Sequence, residues 1–180
     1  MSNDPLIKVN AATAAEVCQR YEVQREARAL LRDGMGPFQF LEAVAGKKLY
    51  VDGIDFLAHA LPAREGIWWG CLCLQHACGD TLTPAERNAC IAAVRWVSQP
   101  TEENRLAAKA PADGVGMSSP AGALALAAHG GLPPPGPFAP AKAVAMAVKL
   151  AALKSPPAAM IDTQRSYLQL GVSVAAGKVG

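Results

Sequence analysis

Cys71, Cys73, His76 and Cys78 fall within one short stretch of the chain, and thiolate and imidazole are the ligands that zinc prefers. Their spacing works against that chemistry if the stretch is helical. Residues two apart on a helix point about 200° round the axis from one another, so Cys71 and Cys73 cannot chelate together as a loop knuckle does. A thiol nucleophile would need an activating histidine at a cleft, and the chain has three histidines. His59 follows Asp55 by one helical turn, a spacing that allows a hydrogen bond and reads most simply as local surface stabilisation. The Gly114 and Gly116 pair resembles a phosphate loop only in composition, because no strand precedes it and neither nucleotide-binding spacing is completed. It reads as a flexible turn between helices. The expectation is therefore no catalytic residue, no metal and no cofactor.

These residues must be positioned by helices. Thr13 with Glu16, and Thr83 with Glu86, have the capping-box spacing, and Pro84 occupies the first helical position, where its missing donor costs nothing. Thr101 precedes Glu102 and Glu103 in the manner of a cap followed by first-turn acids, and Ser119 precedes Pro120 similarly. Gly34, Gly46, Gly79, Gly114 and Gly130 each follow an apolar periodic run, as a terminal glycine does. Helices are expected over 13–20, 24–32, 37–46, 50–60, 63–78, 84–98, 101–110, 120–129, 140–154 and 157–170. Short connections favour antiparallel neighbours. The expected fold is all-α: one domain over residues 1–180, about ten helices arranged as a compact array of hairpins.

Proline density over residues 131–140 predicts an extended, polyproline-like crossing loop. The helix over 63–78 is apolar nearly all round and should be central, with Trp68, Cys71, Leu72 and Gln75 on one face. In the next helix Cys90, Ile91, Val94 and Val97 form the expected buried stripe.

Composition bounds the function. The chain has 180 residues, 51% of them hydrophobic and 18% charged, with 17 Lys and Arg against 15 Asp and Glu. That is enough chain for a substantial core, and the near-balance of charge lacks the basic footprint of a nucleic-acid binder. Lys47 and Lys48 form an isolated doublet that reads as a solvated helix end. The first residues, Met1 to Pro5, carry neither the charge nor the apolar run of a secretory signal. The apolar stretch from Ala141 to Leu153 is interrupted by lysines and too short to span a bilayer. A cytoplasmic protein with no membrane partner is expected, and five cysteines, an odd number, read as free thiols.

Four stretches carry a resemblance that spans most of the chain: Thr13 to Cys18 with Glu26 to Leu31, Phe56 to Cys73, Trp96 to Arg105, and Ser119 to Gly122. The most specific block is Leu61-Pro62-Ala63-Arg64-Glu65-Gly66-Ile67-Trp68-Trp69. Together they resemble a helical bacterial domain family of unknown function whose members accompany type VI secretion genes. Within that neighbourhood the chain looks like the immunity partner of a nuclease (DNase) toxin carried on the secretion spike. The resemblance implies a cytoplasmic inhibitor that binds its cognate toxin tightly. An adaptor or chaperone that loads a secretion effector is the alternative.

Inhibitors of nucleic-acid-cutting toxins often complement a basic cleft with an acidic face, although the net charge here is +2. The candidate acids are Asp52, Asp55, Glu65, Glu102 and Glu103, each with a competing reading as a helix-end or surface charge. Arg64 and Trp69 suit interface anchors if exposed. Their competing reading is that they hold the fold.

Overall fold

A computed structural model describes residues 6–179; Met1 to Pro5, the stretch read for a secretory signal, lie outside them. Among the described residues there are ten α-helices, eight of them seven residues or longer, one further α-helical turn at Arg25–Arg28, two 3-10 turns at Gly79–Thr81 and Pro157–Ala159, and no strand. In chain order they are α1 (Ala14–Cys18), α2 (Arg25–Arg28), α3 (Pro37–Gly46), α4 (Tyr50–Ala60), α5 (Ala63–Cys78), α6 (Pro84–Ser98), α7 (Glu102–Ala107), α8 (Lys109–Val115), α9 (Pro120–His129), α10 (Ala139–Ala152) and α11 (Met160–Ala175). None of the described helices is long and apolar enough to cross a membrane.

The caps explain several starts. Thr83 Oγ1 accepts from the Glu86 amide at 3.3 Å while Glu86 Oε2 accepts from the Thr83 amide at 3.1 Å, the full reciprocal box. At α1, Thr13 caps Glu16 at 3.3 Å, but the glutamate reaches back one residue further, to the Ala12 amide. Thr101 caps α7 through the Asn104 amide at 3.2 Å. Ser119 departs from expectation: its hydroxyl donates to Glu86 at 2.9 Å and ties the start of α9 to α6 in place of capping.

The helix expected over 101–110 is two helices. Pro111 has no amide to give to Ala107, so a single helix cannot run through, and the chain restarts at Lys109 with Pro111 in its first turn. Gly114 is consequently inside α8, and Gly116 (φ 81°) ends it. The last helix starts and ends later than expected, running through Gly171 to Ala175. A Cβ on Gly171 would lie 2.6 Å from both Leu57 and Trp69, so this glycine permits close helix packing and does not stop the helix.

The core is built around α5, α9 and α10. α9 touches α5, α6, α8 and α10, and residues Pro120 to Ala125, Ala127 and Ala128 are buried. Its small side chains let neighbours approach on every side: a Cβ on Gly122 would lie 2.0 Å from the Gly116 carbonyl oxygen. α5 packs on α6, α9, α10 and α11. Its buried residues are Gly66, Ile67, Trp69, Gly70, Cys71, Cys73 and Leu74, whereas Trp68 and Leu72 are half-buried and Gln75 is exposed. The enclosed face is thus rotated from the expected one. On α6 the buried stripe is Ala89, Ala93 and Val97, and Ile91 is exposed; alanine fits against the crowded α9 where the larger side chain does not.

The proline-rich segment does not cross the fold. The Leu132 amide donates to the Ala139 carbonyl at 3.1 Å, and Gly131 lies directly against the Ala139–Pro140 peptide. The segment leaves α9 and returns to the same place, so α9 and α10 form a hairpin closed by a looped-out turn.

Candidate functional site

Helical spacing puts Arg64 and Trp68 one turn apart on α5, on the side turned away from α9. α5 begins after Pro62, whose extended backbone (ψ 152°) ends the preceding run and starts the helix at Ala63. Arg64 therefore lies in the first turn and Trp68 in the second. Val97 and Ser98 from the end of α6, Val174 from α11, and Lys8 and Val179 from the two ends of the described chain complete a groove of roughly 290 Å³.

The groove is donor-rich over an apolar floor. Arg64 Nε donates to the Val97 carbonyl at 2.8 Å, which fixes the guanidinium at the rim. No contact of its two terminal nitrogens is present among the described residues. Lys8 Nζ lies 3.8 Å from Glu65, a loose pair. The Trp68 indole N–H is covered and has no acceptor, and a covered donor without an acceptor is costly. A carboxylate or peptide carbonyl on an apolar side chain matches this lining, because an arginine fork recognises carboxylates and the valines accept the hydrocarbon.

The other residues singled out in the sequence do not gather here. Asp55 is paired with Lys149 of α10 at 2.6 Å. Asp52, one turn earlier on α4, has its carboxyl pushed up by burial, reinforced by Asp55 and Glu26. Glu102 forks onto Arg105 at 2.6 and 2.7 Å, and Glu103 is exposed beside it on α7. The five acids therefore occupy three separate places. Trp69 is corrected outright: it is 0% exposed and its indole donates to the Tyr167 carbonyl at 2.8 Å, so it holds the fold and cannot anchor an interface.

His59 is also not a surface residue. It is 4% exposed, its Nδ1 is bonded at 2.7 Å to the Asp55 carbonyl oxygen and not to the carboxylate, and its ring stacks on Tyr21 at 4.5 Å. Burial lowers its pKa from the usual histidine value and raises that of Tyr21. The short bond means that Nδ1 carries the proton, which leaves Nε2 as an acceptor with no partner; the Tyr21 hydroxyl is likewise unpaired.

A larger cavity of roughly 520 Å³ lies between α7, α8, α9 and the proline-rich turn, with Arg105, Lys109, His129 and Met117 on its wall. Its charges are answered internally. Arg105 binds Glu102 and donates to the His129 carbonyl at 2.7 Å, His129 Nδ1 meets the Arg105 carbonyl oxygen at 3.1 Å, and Lys109 is paired with Asp113.

The cysteine-rich turn of α5 disperses in the way helical spacing requires. Cys71 and Cys73 are buried, Cys78 is half-buried at the helix end, and His76 faces the Tyr167 hydroxyl at 3.3 Å. No three candidate ligands converge among the described residues.

Sequence reasoning identified Arg64 and Glu65 but missed Lys8, Trp68, Val97, Ser98, Val174 and Val179. The one signal available was the four-residue spacing of Arg64 and Trp68. The model of the Family of unknown function (DUF6931) matches residues 40–175, a span that includes Arg64, Trp68, Val97 and Val174. That match supports a domain family of unknown function and says nothing of secretion or immunity. No curated protein and no solved structure matches the chain.

Proposed function

We propose that this chain, which belongs to the DUF6931 family of unknown function, binds another protein through the groove headed by Arg64 and Trp68. The observation that carries this reading is the rim itself: an arginine fixed by one bond to Val97, with its terminal nitrogens unengaged, beside a half-buried tryptophan. Arginine and tryptophan in a partly desolvated pocket are the residue types that dominate protein interfaces. The matching partner element is an apolar residue followed by a carboxylate.

In its concrete form the partner is a nuclease toxin and binding neutralises it in the cytoplasm. The support is the sequence resemblance, whose most specific block, Leu61 to Trp69, supplies the head of the groove. The dispersal of the five acids argues against mimicry of nucleic acid at the toxin's basic cleft. Binding at a carboxylate-bearing segment beside that cleft agrees better with the donor-rich groove. The same donor-rich groove also favours a second reading, an adaptor that grips an effector's targeting segment and leaves its activity intact.

Co-expression with a nuclease toxin from the same genome tests both. Stable complex formation with loss of DNA cleavage supports neutralisation, and binding with full cleavage supports the adaptor. Absence of a complex, or a complex indifferent to Arg64→Ala and Trp68→Ala, would overturn the assignment of the groove.

A further inference from the structure

Ile91, Arg95 and Ser98 recur at helical spacing on α6 and share its outward side, because Ala89, Ala93 and Val97 take the inward one. Ile91 is 49% exposed, an aliphatic side chain left in water at the middle of a long helix. A single exposed aliphatic residue is ordinary, but this one stands between two depressions in the surface. One holds Cys90, Val94, Ser98 and Gln99; the other lies towards α7 and α8, against Asn104, Ala107 and Pro111; Ile91 and Arg95 wall both. Ser98 in turn belongs to the first depression and to the Arg64 groove. Three concavities are therefore joined through shared walls into one track across the outer side of α6. From Ser98 to Ile91 the track covers about 10 Å along the helix axis.

The charges along the track leave one sign unmatched. Arg95 is exposed, and among the described residues its guanidinium has neither a hydrogen bond nor an ion pair. Arg64 is held through Nε alone. Lys8 and Glu65 answer one another at 3.8 Å. The other polar wall residues, Asn88, Ser98, Gln99 and Asn104, are neutral. Two guanidinium groups thus remain without an anion, with the apolar Val94 and Ile91 on the same track.

We propose that the segment of the partner protein gripped at Arg64 is acidic and continues over Ser98, sets an apolar side chain against Ile91 and Val94, and places a second carboxylate on Arg95. This rests on the groove reading above and names what the partner must carry: two carboxylates flanking an apolar residue, on about six extended residues or two helical turns. Each arginine fork can take a carboxylate through two parallel bonds, which fixes the register of the segment, while the apolar contact excludes water between them. A nucleic-acid backbone would match the arginines but leave Ile91 and Val94 unused, and would bring its charge against Glu65.

Random peptides of about twelve residues, long enough to span the track, are displayed on phage, selected on the full chain and resynthesised with a fluorescein label as the probe. The selected sequences should carry two acidic residues flanking an apolar one. Arg95→Glu, Ile91→Asp and Arg64→Ala should each weaken the labelled peptide by about tenfold or more. Melting temperature should barely move for Arg95→Glu and Ile91→Asp, since both side chains are exposed. Exchanging the peptide carboxylate opposite Arg95 for lysine should restore binding to Arg95→Glu, a recovery that a merely structural role does not give. Peptides that need Arg64 but are indifferent to Arg95→Glu and Ile91→Asp would overturn the track and leave the groove reading standing. Peptides that need Arg95 and not Arg64 would overturn both. Failure to select any peptide, selection of basic sequences, displacement of the peptide by duplex DNA, or self-association abolished by Arg95→Glu, which would seat a second copy there, would each overturn the track as well.

Discussion

The larger cavity and the smaller groove both carry cationic side chains, yet they differ in what those side chains have left to offer. Around the larger one, Arg105 is taken by Glu102 and a carbonyl, and Lys109 by Asp113. Around the groove, Arg64 is anchored by a single bond and Lys8 by a loose pair. A charged group already matched within its own chain has little to gain from a ligand, because it would exchange one partner for another. Unspent hydrogen-bonding capacity, more than volume, makes the groove the stronger candidate for a binding site.

The largest expected effect comes from the floor beneath this comparison. Adjacent tryptophans on α5 should behave very differently: Trp69→Ala, which opens a void and removes the indole bond to the Tyr167 carbonyl, should cost about 3–5 kcal/mol. Trp68→Ala should cost only about 1–2 kcal/mol. Urea denaturation of the two variants measures both, and equal losses would mean that the wrong tryptophan has been assigned to the core.

The next effect bears on the larger cavity. A methyl group on Gly122 has to displace the Gly116 backbone, so Gly122→Ala should destabilise by about 1–3 kcal/mol. It should nevertheless leave partner affinity unchanged once the protein is folded. Calorimetric titration with the partner decides this, and weakened binding by the folded variant would move the site to the larger cavity. Arg64→Ala should do the converse, with little change in melting temperature and an affinity loss of tenfold or more, about 1.4 kcal/mol.

The uneven legibility of the sequence follows from the same physics. Helix termini are local chemistry: Thr83 with Glu86, and Pro84 at the first helical position, announce where α6 begins, and the structure shows those bonds. The division at Pro111 was equally local and was overlooked. Which side of a helix faces inward is different. Trp68 and Trp69 are separated by about 100° on α5, and both are apolar, so only contact with α9 and α11 decides which is enclosed. The groove was legible only at Arg64 and Glu65, since its other walls come from Lys8, Val97 and Val174, residues brought together by tertiary packing alone.

The smallest effect separates stability from binding by pH. His59 is buried, and burial is the main reason its folded pKa is depressed; Asp55 opposes that shift, while Lys142 and Lys149 reinforce it. The unfolded chain takes up a proton near the ordinary histidine value of about 6.5, whereas the folded chain does so only at lower pH. Stability supported by neutral His59 is therefore present in full above that value and lost as pH falls towards the folded pKa. Asp52, raised by burial, works in the opposite sense. Melting temperature should consequently decline between about pH 7.5 and 5.5, and His59→Gln, which removes the titrating group, should flatten the decline. Binding at the groove should stay nearly level over the same interval for a partner carboxylate, since an arginine remains charged throughout. An affinity that fell in step with wild-type stability and was levelled by His59→Gln would mean that the buried histidine, and not the Arg64 rim, governs recognition.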